Sequence, residues 1–235
     1  MRTLTGELAC DHEPDAGGRA RHEAPLAVEP EIHAPRLSRV PTTIVLVRHG
    51  ETDWNRERRF QGHADTSLND AGRRQALELA HAIRDERLDA VYTSPLRRAS
   101  ETARIIADML GLEARELEAL REIDVGDWQG LTVDEIRVRF PERADVAWRS
   151  GWQDGETHEQ LSARVVPALL DLGRRHPDDR VLGVTHAGPI RAALMAATGR
   201  SLEESRAEVS PLENCVAFQF AVRNGTLERV ERASA

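Results

Sequence analysis

Short apolar runs alternate with stretches of helical period along most of the chain. The first run, Ile44-Val45-Leu46-Val47, holds three β-branched residues and no polar one. Such residues fit a pleated surface, and a parallel strand is covered on both faces, so the run predicts a buried strand. It stops at Arg48-His49-Gly50. Downstream, Asn69 is placed to cap a helix with Ala76, Leu77, Leu79, Ala80 and Ile83 at helical spacing. Residues 88–93 predict a second strand. Ser94 and Pro95 then read as the cap and first position of a helix carrying Leu96, Ala99, Ala103, Ile106, Ala107 and Leu110, which Gly111 stops. Residues 117–123 read as a short extended or irregular stretch. Thr132 with Glu135 forms a capping box, and Pro141 ends that helix after Phe140.

The second half continues the alternation. Residues 142–156 hold Trp148, Trp152 and two glycines and read as a loop or lid. Residues 157–176 form the longest helical stretch, with Leu161, Val165, Ala168, Leu169 and Leu172 on one face and a kink expected at Pro167. Residues 181–185 predict another buried strand, ending at His186-Ala187-Gly188-Pro189, and a small helix spans 190–197. Residues 215–222 and 227–230 close the chain as a hairpin around Asn224-Gly225. This order predicts an α/β domain with a mostly parallel central sheet and an antiparallel edge strand.

Residues 1–40 break the pattern. They hold four prolines, the Gly17-Gly18 pair, mixed charges and no aromatic residue, too little apolar surface to offset their ordering entropy. They read as a disordered N-terminal extension or an over-long start, and the structured domain is expected over 41–235. His12, His22 and His33 within them are too widely spaced to suggest a metal site.

Composition narrows the chemistry. A net charge of -8 over 235 residues disfavours nonspecific nucleic-acid binding, and no apolar run is long enough to span a membrane. Cys10 and Cys215 are too few for a disulfide framework, and the N-terminus has no secretory pattern, so a cytoplasmic location is expected. All 32 basic residues are arginine. That excludes a P-loop lysine, a Schiff-base lysine and a Ser-Lys pair. Cys-x5-Arg and Gly-x-Ser-x-Gly are absent as well.

Two buried strands each deliver an imidazole, His49 and His186, to the same edge of one sheet, where open α/β folds bind ligands. A helix starting after Ser94 would bring its first turn, with Arg97 and Arg98, to that rim, one arginine pointing inward and one to solvent. The loop Arg121 to Gly130 adds three acids and Trp128.

These residues resemble the histidine phosphatase superfamily, the phosphoglycerate mutase-like fold. The resemblance starts at Leu46-Val47-Arg48-His49-Gly50-Glu51-Thr52-Asp53-Trp54-Asn55 and runs through Gln61-Gly62, Asp65 to Asn69, and Gly72 with Gln75-Ala76. It continues in Ser94 to Ala99 with Glu101-Thr102-Ala103, Glu122 to Gly130, Gly155-Glu156 and Thr185-His186-Ala187-Gly188. It implies a three-layer α/β/α fold and a metal-independent phosphoric monoester hydrolase of the histidine acid type, with no cofactor. It further implies that His49 attacks a phosphoryl group and forms a phosphohistidine. Arg48, Arg98 and His186 would surround that group, with Thr52, Asn55, Gln61, Gly62 and Gly188 lining the phosphate site. Glu122 would protonate the leaving oxygen and then activate water. The residue types suit the task, since planar arginines bind phosphoryl oxygens bidentately and a histidine nucleophile must be neutral at the attacking nitrogen. Glu122 would need to hold a proton near neutral pH, and an apolar neighbour such as Trp128 or nearby phosphate charge is expected to raise its pKa.

Two departures from the family pattern matter. Ser67 stands where a proline is usual, and nothing resembles the Arg-His-Tyr-Gly stretch of bisphosphoglycerate-dependent mutases. Asp124 and Asp127 are also expected to repel a second phosphate. The phosphatase branch is therefore favoured. The expected substrate is a small phosphate ester of the sugar phosphate or phosphoglycerate type, with the lid residues Arg143, Trp148, Arg149 and Trp152 expected at its leaving group, the alternative being that the arginines are simply solvated. The alternatives are a phosphoglycerate mutase and a catalytically silent phospho-ligand or protein-binding module. A homodimer stays open.

Overall fold

The computed structural model describes residues 41–143, 152 and 154–230. The N-terminal extension and the lid residues Trp148 and Arg149 lie outside the described residues. The opening apolar run becomes β1 (Thr42–Arg48). With β2 (Ala90–Thr93), β3 (Ala114–Glu116), β4 (Arg180–Thr185), β5 (Ala217–Arg223) and β6 (Thr226–Val230) it forms one sheet in the order β3-β2-β4-β1-β5-β6. β1, β2, β3 and β4 are mutually parallel, and the β5–β6 hairpin adds antiparallel strands on one side. The hairpin turns at Asn224 and Gly225, φ 50° and 79°, a left-handed pair that matches the twist of the strands it joins.

Side chains on a strand alternate between faces, which sorts the core into two layers. Ile44, Leu46 and Val181 share one cluster with residues of α5 (His158–Arg175) and α6 (Ala187–Thr198), among them Leu161, Val165, Leu169, Leu172 and Ile190. Val45, Val47, Leu182 and Val184 join the other, with Ala80 and Ile83 of α2 (Asp70–Ile83) and Ala99, Ala103 and Ile106 of α3 (Arg97–Leu110). Each such large aliphatic side chain contributes about 1.5–3 kcal/mol on burial. The three-layer α/β/α fold follows, and among the described residues no helix is long and apolar enough to cross a membrane.

Several elements differ from their sequence readings. Ser94 does not cap α3: Leu96 occupies the cap with ψ 129°, and the helix begins at Arg97. The Ser94 hydroxyl is held instead by the Leu96 N–H and by His186. α6 starts at Ala187, three residues early, because Pro189 falls in the first turn, where its missing N–H has no partner to lose. α5 runs on through Pro167, which is exposed. β3, only three residues long, and α7 (Leu202–Glu208) were not expected, although Ser201 and Glu204 form a capping box for the latter. The other short helices are α1 (Asp53–Arg56), capped by Thr52, and α4 (Val133–Arg139), capped by the expected Thr132–Glu135 box.

Candidate active site

The strand register builds the site. Arg48 pairs with Thr185 across β1 and β4, so His49 and His186 emerge side by side, one residue beyond the paired ends. Their rings lie 5.1 Å apart, centroid to centroid. Ser94 leaves β2 at the same level, its N–H bonded to the Val184 carbonyl.

His49 is buried, and its Nδ1–H donates to the Gly50 carbonyl at 2.7 Å. Its Nε2 accepts from Arg98 Nε at 3.2 Å. The ring is therefore neutral with its lone pair at Nε2, and burial together with the Arg98 and Arg48 charges holds its pKa well below 6.5. His186 is fully buried, and burial followed by Arg98 depresses it likewise. Its Nε2 meets Ser94 Oγ at 2.8 Å, and Ser94 Oγ already accepts from the Leu96 N–H. With one proton and two lone pairs the hydroxyl is able to serve Nε2 as donor or acceptor, and Nδ1 of His186 is enclosed without a hydrogen-bond partner among the described residues.

Arg98 points inward from the first turn of α3 while Arg97 is exposed. Burial, opposed by Glu122, brings Arg98 down to about 10, still a full cation at neutral pH. It donates to the carbonyls of Gly62 (2.8 Å) and Ala64 (2.7 Å), which fixes the Gln61-Gly62 turn against the site. Arg48 donates from NH1 to the Leu212 carbonyl, and its buried Nε has no partner. Glu122 reaches in from the irregular segment after β3. Its Oε1 accepts from the N–H groups of Ile123 (3.0 Å) and Gly188 (2.9 Å). A Cβ on Gly188 would lie 2.4 Å from that oxygen, so the close approach needs glycine.

Arg48, His49, Asn55, Gln61, Gly62, Arg98, Glu122 and Gly188 line one cavity of about 420 Å³. Among the described residues, five arginines and one carboxylate, Glu122, line it. A larger groove of about 580 Å³ along α3 and β3 has no imidazole in its wall. Among the described residues, no group of three His, Cys, Asp or Glu is placed to hold a metal ion.

Not every candidate reaches the wall. Thr52 is fully buried and caps α1, its hydroxyl donating to Asn55 Oδ1, so it positions Asn55. Gly188 lines the cavity, but its N–H is engaged by Glu122. Trp128 packs in the core against Phe60 and Trp152; Ile123, Leu161 and Trp152 supply the apolar wall instead. Arg143 is drawn to Asp127 at 3.9 Å and lies over the Phe140 ring, away from the cavity. Asp124 accepts from the Gly126 N–H, so neither Asp124 nor Asp127 faces a ligand there.

Other contributors escaped the sequence reading. Asn214 Nδ2 donates to the His49 carbonyl at 2.8 Å, and the Cys215 N–H donates to that of Arg48 at 2.9 Å, so the strand end is clasped from the segment before β5. Arg164 of α5 donates to the carbonyls of Ala119, Arg121 and Glu122 and forks onto Glu156, tying down the segment that carries Glu122. These contacts join residues far apart in sequence and leave no local pattern. Arg191 stands five residues beyond His186 on a helix, a spacing that was visible.

Strand-end imidazoles, an inward arginine at a helix start and a carboxylate stand together at one end of an α/β sheet. The chain belongs to the histidine phosphatase superfamily (branch 1), whose model matches residues 44–232. It is 44% identical over 159 residues to phosphoglycerate mutase-like protein 4 of Arabidopsis thaliana, covering 63% of this chain and 68% of that one. It is 40% identical over 168 residues to the metal-independent phosphoserine phosphatase of the same plant, covering 68% and 70%. Among solved structures, a mycobacterial glucosyl-3-phosphoglycerate phosphatase complexed with VO3 superposes with TM-score 0.71 at 31% identity, over 82% of this chain and 100% of that one.

Proposed function

We propose that the protein hydrolyses small phosphate monoesters through a phosphohistidine at His49. His49 Nε2 attacks phosphorus in line as the ester P–O bond breaks, and the leaving oxygen takes the proton held by Glu122. Water then attacks the phosphohistidine, Glu122 accepts its proton, phosphate leaves and neutral His49 is restored. Arg48, Arg98 and His186 serve the equatorial oxygens, where negative charge is spread in the transition state. One observation carries the reading: a neutral imidazole with its lone pair at Nε2 stands among arginines, its other nitrogen fixed by Gly50. On this reading the protein is a phosphatase of the histidine acid type.

Phosphorylated metabolites of the sugar phosphate or phosphoglycerate type suit the cavity's size and charge, and the relatives' names point the same way. A mutase must grip a second phosphate, whereas Ile123 and Val125 present apolar side chains to the cavity beside Glu122. Hydrolysis is therefore favoured over transfer.

The test is acid-quenched turnover of a 32P-labelled ester without added metal. Base-stable, acid-labile label on His49, and its loss together with turnover in His49→Ala, is expected. Label on a serine or aspartate, or unchanged turnover in the variant, would overturn the mechanism.

A further inference from the structure

We propose that Arg191 reads a carboxylate on the leaving group, so that the preferred substrates are phosphate esters of hydroxy acids. The inference rests on the phosphatase reading above and adds what recognises the remainder of the substrate.

The cavity's arginines differ in what already holds them. Arg98 is engaged by two carbonyls and His49, Arg59 by Glu57 and Glu135, and Arg48 by the Leu212 carbonyl. Arg191 lines the same cavity from α6, and its Nε is enclosed without a hydrogen-bond partner. Among the described residues it makes no hydrogen bond and no ion pair. Burial lowers its pKa and Glu122 opposes that shift, so a charged guanidinium is kept partly out of water with one acid in electrostatic reach. A desolvated cation without a partner is costly, and an anion arriving with the ligand removes that cost.

Glu122 is the acid that Arg48, Arg98 and Arg191 all feel. Arg48 also feels the charge of Arg191, so Arg191 borders the cluster of Arg48, Arg98 and His49, and on this proposal it takes the carbon side of an ester held there. A planar fork with an unmet donor binds a carboxylate bidentately, and Arg206, which feels the charge of Arg191, lines the same cavity and adds to the pull on an anion. Trp152, Leu161, Met195 and Leu202 line the remaining wall and accept a short carbon skeleton.

The experiment compares kcat/KM for 3-phosphoglycerate and glycerol 3-phosphate, which differ in the carboxylate, using the full-length protein. Wild type is expected to favour 3-phosphoglycerate at least tenfold. Arg191→Gln is expected to lower that ratio about ten- to hundredfold, chiefly through KM, as loss of a charged hydrogen-bond pair implies. Arg191→Lys should keep part of the ratio. Arg191→Glu should reverse the charge preference, so that phosphoethanolamine is favoured over 3-phosphoglycerate. Thermal melts of the variants show that they fold. A ratio unchanged within twofold in Arg191→Gln, or equal losses on both esters, overturns the inference and leaves the phosphatase reading intact. Wild type that hydrolyses neither ester overturns the phosphatase reading, and the inference falls with it.

Discussion

At the scale of single residues, one hydroxyl joins a helix start to an imidazole. Ser94 Oγ takes the Leu96 N–H and meets His186 Nε2 at 2.8 Å, and giving its own proton there would hold the other on Nδ1 of His186. Ser94→Ala releases that choice of tautomer. About a tenfold loss in kcat is expected, the size of one hydrogen bond, with Ser94→Thr retaining most activity. 15N chemical shifts of His186 check it: a proton that stays on Nδ1 in the alanine variant would reduce Ser94 to a packing role. Much of this level was legible in the sequence, because Arg48, His49, Arg98, Glu122 and His186 are set by strand ends, one helix start and a motif. What was not legible depends on where side chains turn. Thr52 and Asn55 look alike as polar residues after a strand, and only the cap geometry shows that one positions the other.

At the scale of elements, α6 begins against the acid. Glu122 Oε1 occupies the space that a side chain on Gly188 would fill. Gly188→Ala is expected to push the carboxylate out of place and lower kcat about a hundredfold, within the usual worth of a general acid, while circular dichroism stays unchanged. Steady-state kinetics decide it, and full activity in that variant would remove Glu122 from the reaction. Strands and capped helices were readable where one local signal governs, as with the apolar run of β1 or the box at Thr132 and Glu135. The start of α3 was misread because Ser94 has a distant partner in His186, which outcompetes its local capping role. β3 was hidden by its brevity and its exposed polar side chains.

At the scale of the whole molecule, two imidazoles kept neutral inside the fold make stability depend on pH. Both have folded-state pKa values well below the ordinary 6.5. Below that pH the unfolded chain binds protons that the folded chain refuses, so each ring contributes a loss of about 1.4 kcal/mol per unit fall in pH until its folded pKa is reached. Above 6.5 both are neutral in either state and contribute no slope. His49→Asn is expected to remove one ring's share between pH 6.5 and 5, read from urea midpoints; parallel curves for variant and wild type would show that His49 titrates normally. β1 is hydrogen-bonded to β4 on one edge and β5 on the other, whereas Glu122 sits on an irregular segment between two 3-10 turns. The two halves of the chemistry therefore hang on different contacts, sheet pairing for His49 and the Arg164 hydrogen bonds for Glu122. A molecule whose acid-bearing segment has come loose still has its nucleophile in register. Esters with good leaving groups would load such a molecule and halt it as the phosphorylated enzyme, so loss of the Arg164 contacts is expected to arrest turnover after capture rather than before it.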